Sequence, residues 1–295
     1  MSAPRWVPGS APVAVVMIAR DEARHLEAAL SDLSGWADEV FLVDSLSRDA
    51  TVDIALRHGV HVVQRPFRGF GEQWNFALRA LPITAPWTMK LDPDERLTPE
   101  LKRTIELATT AATADGLSVK RRLWFMGSPL PVTQRLLRVW RTGRCRFSDV
   151  AVNEHPLVDG RIEAVAGELE HHDSPDLHHW LDKQNRYSTL EAASRFAGEA
   201  LAAEPKLFGA ALERRMWLKR WFWHLPFRFV LLHLWHLFGM GAWRAGKAGF
   251  DWARLRTELF RLQELKLDEM RRQGRAYAPP PPPPGPRDPR VPQHD

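Results

Sequence analysis

The feature that most constrains the fold is an unbroken apolar run near the N-terminus, Val13–Ile18 (VAVVMI). A run of this kind, rich in β-branched residues, is typical of a strand that is buried on both faces of a parallel sheet. Apolar residues at helical spacing follow over 26–33, a second apolar run lies at 40–43, and 60–63 and 88–91 indicate a third and a fourth short strand. Strands that alternate with helices over short connections predict right-handed βαβ units. We therefore expect an α/β fold with a doubly wound, mostly parallel sheet.

Polar residues follow three of the four predicted strands. Arg20–Glu22 follow the first strand, Asp44 follows the second, and Asp92–Asp94 follow the fourth. In doubly wound sheets, ligands bind beyond the carboxyl ends of the strands. Three polar clusters that converge on one edge of the sheet favour a binding site over three unrelated turns.

The strongest candidate within this edge is the acidic sequence Leu91-Asp92-Pro93-Asp94-Glu95. In extended backbone, residues two apart point to the same side, so Asp92 and Asp94 could share one target. Two carboxylates that lie close repel each other unless a cation is near. Mg²⁺ or Mn²⁺ prefers such oxygens and completes its shell with diphosphate oxygens, where it offsets the charge of a leaving group. A turn followed by acids that precede a helix is the simpler alternative.

The chain divides into three segments of different composition. Residues 12–205 carry the α/β pattern, and within them the mixed, glycine-punctuated stretch 117–170 predicts short strands and loops that cover the edge of the sheet. Residues 206–275 predict a helical, basic and Trp-rich extension with a break at each of several glycines, Gly249 among them. Residues 276–295 contain a run of prolines, which predicts an extended, disordered tail.

The positive charge of the chain is unevenly distributed. Lys and Arg number 41 against 36 Asp and Glu, and the segment Arg214–Lys247 is rich in Arg, Lys and Trp. Its apolar stretch Phe229–Phe238 is shorter than the roughly 20 residues that span a bilayer. A Trp-rich apolar face beside basic residues suits the surface of a membrane. A helix packed on the catalytic domain or on a dimer partner is the alternative.

Two observations bear on the cellular compartment. The single cysteine, Cys145, excludes an intrachain disulfide, and Pro and Gly interrupt the apolar run that a secretory signal would need near the N-terminus. We expect a cytoplasmic protein, located at the inner face of the cytoplasmic membrane if the basic segment binds lipid.

Four stretches in order resemble glycosyltransferase family 2, in particular its branch of lipopolysaccharide-core glucosyltransferases and related cell-envelope sugar transferases. They are MIARDEARHLEAAL, WADEVFLVDSLSRDATVDIA, GFGEQWNFAL and MKLDPDERLTPEL, and the resemblance covers about residues 12–190. It implies a GT-A fold, an inverting mechanism and a nucleotide-diphosphate sugar as donor. It also implies a saccharide or lipid-linked acceptor and no nucleic acid partner.

The resemblance also implies roles for individual residues. The nucleoside would be contacted by Arg20, Asp21, Glu22 and Asp44, and Asp92 and Asp94 would hold the metal and the diphosphate. In the stretch Gln134–Arg138, Arg135 would face the phosphates.

Inversion requires a general base that takes the proton of the acceptor hydroxyl. The stretch Val152-Asn153-Glu154 is similar to a Val-His-Glu stretch of the family, so Glu154 is the first candidate, with Asp149 and Asp173 behind it. A histidine of the pair His171 and His172 is a candidate for the acceptor site.

The sequence departs from the family pattern at two places. Leu46 stands where the family usually has a glycine, so we expect the turn after Asp44 to avoid a positive φ. Asn153 replaces the histidine before the candidate base.

Three alternative functions are weighed against glycosyl transfer. A nucleotidyltransferase would need a glycine-rich loop after the first strand, where this chain has Ala19–Glu22. A dinucleotide dehydrogenase is disfavoured because no G-x-G-x-x-G follows that strand. A catalytically inactive, membrane-associated scaffold on the same fold remains open.

Overall fold

The computed structural model describes residues 5–148, 155–173, 176–198, 201, 203–277, 280 and 283–295 of the 295-residue chain, apart from the side chains of 211 and 212. The strands are β1 (Ala11–Ala19), β2 (Ala37–Asp44), β3 (His61–Gln64), β4 (Trp87–Lys90), β5 (Glu95–Leu97), β6 (Gly116–Phe125), β7 (Ser128–Arg141), β8 (Cys145–Phe147), β9 (Pro156–Val158) and β10 (Ile162–His171). The helices are α1 (Ala23–Leu33), α2 (Thr51–Arg57), α3 (Phe70–Ala80), α4 (Pro99–Ala111), α5 (Leu177–Phe196), α6 (Ala211–Phe222), α7 (Arg228–Leu234) and α8 (Gly246–Gln273), with a π turn at Trp235–Gly239 and a 3₁₀ turn at Ala242–Ala245 between the last two.

Eight strands form one sheet in the order β3-β2-β1-β4-β7-β6-β10-β5. Strands β3, β2, β1 and β4 pair in parallel, and so do β6 and β10, whereas β7 and β5 run antiparallel to their neighbours. Six strands therefore point the same way, and the predicted mostly parallel α/β sheet is confirmed.

The apolar run of β1 is buried on both faces, as its composition predicts. Val15 and Met17 pack with Leu30 of α1 on one face, while Val16 packs with Trp74 of α3 on the other. Thr98 caps the start of helix α4: its hydroxyl accepts a hydrogen bond from the backbone amide of Leu101, the third residue of the helix. Burial on two faces explains why this strand carries no alternation of polar and apolar residues.

Strands β8 and β9 are short, as predicted for 117–170, and pair apart from the central sheet, but the prediction is wrong for the rest of this stretch. Strands β6, β7 and β10 have 10, 14 and 10 residues and extend the central sheet itself. The polar residues that hid them in the sequence pair across the strands: Glu168 contacts both Lys120 and Arg122. Gly127, with a φ of +72°, lies in the tight turn between β6 and β7 and does not interrupt a strand.

The C-terminal helices pack on the sheet. Phe125 and Leu130 of the β6–β7 hairpin share an apolar cluster with Trp180 of α5 and with Trp252 and Leu259 of α8. The expected break at Gly249 is absent, because this glycine lies within the first turns of α8. A Cβ atom there would lie 1.8 Å from the Ala242 carbonyl oxygen, so the glycine permits a close backbone approach. The boundary between residues 12–205 and 206–275 stays a prediction.

Residues 283–295, predicted to belong to a disordered tail, instead lie against the edge strand β3. The backbone amide of Gln64 donates to the Pro292 carbonyl at 2.9 Å, and the backbone amide of His294 donates to the backbone carbonyl of Gln64 at 2.8 Å. Val291 is buried in the main core cluster. An edge strand offers unpaired backbone groups, and these residues supply partners for them.

Within the residues described, no helix is both long enough and apolar enough to cross a membrane.

Candidate active site

The predicted polar clusters meet at one edge of the sheet, beyond the carboxyl ends of β1, β2 and β4. The Asp21 amide donates to the Ser47 hydroxyl at 2.9 Å, and the Glu22 amide donates to the Thr51 hydroxyl at 2.8 Å. These bonds tie the loop after β1 to the loop after β2. Burial and the negative charge of Asp94, which follows β4, raise the pKa of Glu22, so the loop after β1 also lies near the end of β4.

The prediction that Asp92 and Asp94 lie in extended backbone is wrong. The Glu95 amide donates to the Asp92 carbonyl at 2.9 Å and closes a turn. The two carboxylates consequently have different partners. Asp92 lies 3.1 Å from Arg138 and 3.7 Å from Lys90, whereas Asp94 lies 3.3 Å from His171. The turn separates a carboxylate bound to cationic side chains from one that faces a histidine.

The surroundings of Asp92 favour its ionised form. Burial alone would raise its pKa, but Lys90 and Arg138 outweigh burial and hold the pKa below the ordinary value. Arg138 also lies 2.5 Å from Glu95, whose side chain is fully buried, and Arg121 lies 3.5 Å from the same carboxylate. Two guanidinium groups therefore hold the acidic turn in place from the side of β6 and β7.

Asp94 belongs to a second cluster, with His171 and Asp173. One ligand atom from each of these residues lies within 4.8 Å of the others. The Asp94 Oδ1 and His171 Nδ1 atoms are buried and have no hydrogen-bond partner among the described residues. Lys183 of α5 lies 2.5 Å from Asp173 and 3.4 Å from Asp94, so an ammonium group supplies the positive charge of the cluster. The donor set of two carboxylates and an imidazole fits a divalent cation.

The charges within this cluster shift its pKa values strongly. Burial would raise the pKa of Asp94, but His171 and Lys183 hold it well below the ordinary value. Burial would likewise lower the pKa of His171, and Asp94 outweighs that effect and raises it. The same two opposing causes act on Lys183, whose pKa is raised by Asp94 and Asp173.

Glu22 is the member of the site that is hardest to ionise. Burial, together with the negative charges of Asp94 and Asp92, raises its pKa from 4.5 to about 7. A carboxyl in this state is only partly ionised near neutral pH, and a cation that offsets the neighbouring charges favours its ionised form. Glu22, which was predicted to contact the nucleoside, thus lies close enough to Asp94 and Asp92 for their charges to raise its pKa.

Asp44, predicted to contact the nucleoside, has a fully buried side chain. It accepts hydrogen bonds from the Ser47 amide at 3.0 Å and from Gln64 Nε2 at 2.7 Å. Burial raises the pKa of Asp44, and its hydrogen bonds with Ser47 and Gln64 act in the opposite direction. Arg20 donates to the Pro283 carbonyl at 3.0 Å, so the C-terminal segment reaches this side of the site.

The expectation that Leu46 avoids a positive φ is wrong. Its φ is +59°, the conformation a glycine would adopt, although a leucine pays steric strain there. The Leu46 side chain is buried, with 7% of its surface exposed. Burial of this side chain accounts for how the turn tolerates the strain.

Three predicted residues lie elsewhere or outside the described part of the chain. Arg135 donates to the Ser118 carbonyl at 3.2 Å and lies beside Lys120 and Arg122, while Arg138 has the place beside Asp92. Strand residues three apart usually point to opposite faces, which accounts for the difference. Glu154 and Asp149 lie outside the described residues.

Sequence reasoning favoured His171 or His172 as a candidate for the acceptor site and gave Lys183 no definite role. The available signal was positional: His171 is the last residue of β10, and β10 runs parallel to β6. A strand of that direction ends at the same edge as β4. Without the sheet order, the sequence does not reveal that this end lies beside Asp94.

Residues 14–144 of the chain match the model of glycosyl transferase family 2. Among curated proteins, it is similar to the lipopolysaccharide core biosynthesis glycosyltransferase LpsC of Rhizobium meliloti, with 27% identity over 81% of this chain and 85% of that protein. It is also similar to the uncharacterized glycosyltransferase RP128 of Rickettsia prowazekii, with 24% identity over 61% of this chain and 66% of that protein. The resemblance to the lipopolysaccharide-core branch is thereby confirmed.

Among solved structures, residues 1–349 of S. aureus TarS in complex with UDP-GlcNAc match with 14% identity and a TM-score of 0.42, covering 90% of this chain and 93% of that one. Glucosyl-3-phosphoglycerate synthase from Mycobacterium tuberculosis, in complex with Mn²⁺, UDP and glucosyl-3-phosphoglycerate, matches with 26% identity and a TM-score of 0.29, covering 39% and 44%. With both TM-scores below 0.5, neither likeness bears on the arrangement of the site.

Proposed function

We propose that the protein is an inverting, cation-dependent glycosyltransferase that moves a sugar from a nucleotide-diphosphate donor to a saccharide or lipid-linked acceptor of the cell envelope. The observation that carries the proposal is the cluster of Asp94, His171 and Asp173, with two buried ligand atoms that lack a hydrogen-bond partner among the described residues. Its position beyond the carboxyl ends of the strands supports a role in binding a ligand.

Mg²⁺ or Mn²⁺ would be held by Asp94 and His171, with Asp173 beside them. This assignment replaces the predicted pair of Asp92 and Asp94, because ligand atoms of Asp94, His171 and Asp173 lie together, whereas Asp92 pairs with Arg138 and Lys90. When bound, the cation supplies positive charge to the diphosphate of the donor.

The side chains of the protein have separate tasks in this proposal. Arg138 and Lys90 fix Asp92 in its ionised form. Lys183 compensates the charges of Asp94 and Asp173 and is well placed to approach a phosphate when a cation binds. Arg20 and Asp44 lie on the side of the site that the family resemblance gives to the nucleoside.

Transfer with inversion also requires a base at the acceptor hydroxyl. Glu154 stays the first candidate for this base, on the family resemblance alone. Asp173 is the candidate within the described residues, since it lies in the acidic cluster.

The class of acceptor follows from the relative named for lipopolysaccharide core biosynthesis. A cytoplasmic location, at the inner face of the membrane, is part of the same proposal. A nucleotidyltransferase and a dehydrogenase are disfavoured, because residues 14–144 match a glycosyltransferase family. An inactive scaffold is distinguished only by experiment.

The test is a thermal-unfolding screen of UDP-, GDP- and dTDP-linked sugars, each with Mn²⁺ and with EDTA. A ligand at 100 times its Kd stabilises the native state by about 2.7 kcal/mol, which raises the Tm by several degrees. We expect at least one nucleotide sugar to raise the Tm in the presence of Mn²⁺ but not in EDTA. The same nucleotide sugar should release its nucleotide when acceptor extract is added. If none of them raises the Tm with either Mn²⁺ or Mg²⁺, the proposed function is wrong.

Variants with matched controls locate the effect. Asp94→Asn and His171→Ala should remove the stabilisation by donor plus Mn²⁺. The controls are Asp182→Asn and His178→Ala, an exposed acid and an exposed histidine on α5 that contact each other 3.5 Å apart. Equal loss in the controls would show that the effect has no connection with the site.

A further inference from the structure

Helix α7 and the π turn after it present an apolar face to the outside. Its exposed side chains recur at spacings of three and four residues, so they lie on one side of the helix. These residues are Phe227, Val230, Leu231, Leu234, Trp235 and Phe238. Phe227 is 81% exposed, and Trp235 and Phe238 are each 60% exposed. We call these six residues the outer apolar face.

The opposite side of the same helical segment is already used by the fold. His236 and Leu237 are buried, and the His236 ring packs on Trp252 of α8 with ring centroids 5.4 Å apart. His236 Nδ1 also lies 3.2 Å from the Thr257 hydroxyl. The segment is therefore fixed to the protein by its inner side, and packing on the domain does not account for the outer apolar face.

Elements next to α7 in the chain also expose apolar side chains. Leu218, Trp221 and Leu225 are exposed on or just after α6, and Trp243 is exposed in the 3₁₀ turn. Exposed apolar patches of such extent are uncommon on monomeric proteins and mark contact surfaces. Tryptophan is especially frequent where a protein meets the interface of a bilayer.

The charge of this region identifies the kind of surface that it fits. Residues 214–250 contain seven Arg and Lys residues and no Asp or Glu. Three of the seven are paired with acids outside the segment. The other four are exposed and form no ion pair within the described part of the chain; they are Arg214, Arg215, Arg220 and Arg244. A partner that accepts this surface must be apolar and negatively charged.

We propose that residues 214–250 dock on the surface of an anionic lipid bilayer, with the outer apolar face buried among the acyl chains and the arginines at the headgroups. A second copy of the chain fits less well, because a twofold contact would bring unpaired arginines of both copies together. The finding that none of the described helices can span a bilayer agrees with a helix that lies in the plane of the interface.

The proposal stands independently of sugar transfer, and its test needs no substrate. Purified protein is sedimented with vesicles of phosphatidylcholine alone and with vesicles that contain phosphatidylglycerol as well. We expect binding to the anionic vesicles that weakens as salt is raised. The double variant Trp235→Ser, Phe238→Ser should bind at least about tenfold more weakly, since it removes apolar area worth more than about 1.4 kcal/mol.

A matched control uses an exposed leucine outside this surface. Leu107 of α4 is 60% exposed, and Leu107→Ser should leave vesicle binding unchanged. Far-ultraviolet circular dichroism and Tm show whether each variant folds. Equal binding of the double variant and the wild type, or no binding of the folded wild type to anionic vesicles, overturns the proposal. So does a dimer of the wild type that the double variant abolishes, because the surface would then bind protein.

Discussion

Replacing Glu22 by glutamine should change how the stability of the protein depends on pH. The pKa of Glu22 is raised from 4.5 to about 7 by burial and by Asp94 and Asp92. Between these two values the unfolded chain loses its proton while the native state retains it. Stability therefore falls as the pH rises through this window, by about 1.4 kcal/mol for each unit of pKa shift.

The shift of Glu22 sets an upper limit of about 3.5 kcal/mol on this effect, and partial exposure to solvent reduces it to about 1–2 kcal/mol. The assay is urea unfolding of the wild type and Glu22→Gln in EDTA, at several values between about pH 5 and pH 8. We expect the variant to gain stability relative to the wild type as the pH rises. Mn²⁺ should reduce the difference, since a cation at Asp94 makes ionisation of Glu22 easier. Parallel stability profiles in EDTA would refute the reasoning.

Three further predictions concern the framework around the site. Arg138→Met leaves the fully buried Glu95 carboxylate with a weaker set of partners and should cost about 3 kcal/mol in urea unfolding; Arg57→Met, at the exposed pair with Glu27, should leave the unfolding midpoint almost unchanged. Gly249→Ala should cost about 1–3 kcal/mol, because its Cβ would lie 1.8 Å from a carbonyl oxygen; an unchanged Tm would contradict the close packing of α8. Removal of residues 283–295 exposes one buried valine and the edge of β3, and should cost about 2 kcal/mol in thermal unfolding; an unaltered Tm would mean that this segment does not dock.

Much of the fold could be predicted because local patterns decided it. The run Val13–Ile18 is buried on both faces, and Thr98 with Pro99 begins a helix, so a few neighbouring residues carried the information. Strands β6, β7 and β10 were misjudged because their arginines and glutamates pair with one another across the sheet. Such pairs depend on the register of the strands, which the sequence alone does not provide.

The site was predicted in part for the same reason. Asp92 and Asp94 were found because they follow a strand directly, but their partners come from remote elements. His171 and Lys183 lie 77 and 89 residues beyond Asp94, respectively, and reach it only through the order of the strands and the packing of α5. The docking of Val291 escaped prediction because a single apolar residue in a proline-rich segment gives no periodic signal.

The most direct test of the central claim is a titration of Mn²⁺ by electron paramagnetic resonance, in the presence of UDP and GDP. The account predicts that the wild type and Asp182→Asn bind Mn²⁺ equally. Asp94→Asn and His171→Ala should bind it at least about tenfold more weakly, a loss of about 1.4 kcal/mol or more. Folded Asp94→Asn that binds Mn²⁺ as tightly as the wild type would contradict the claim that Asp94 holds the cation.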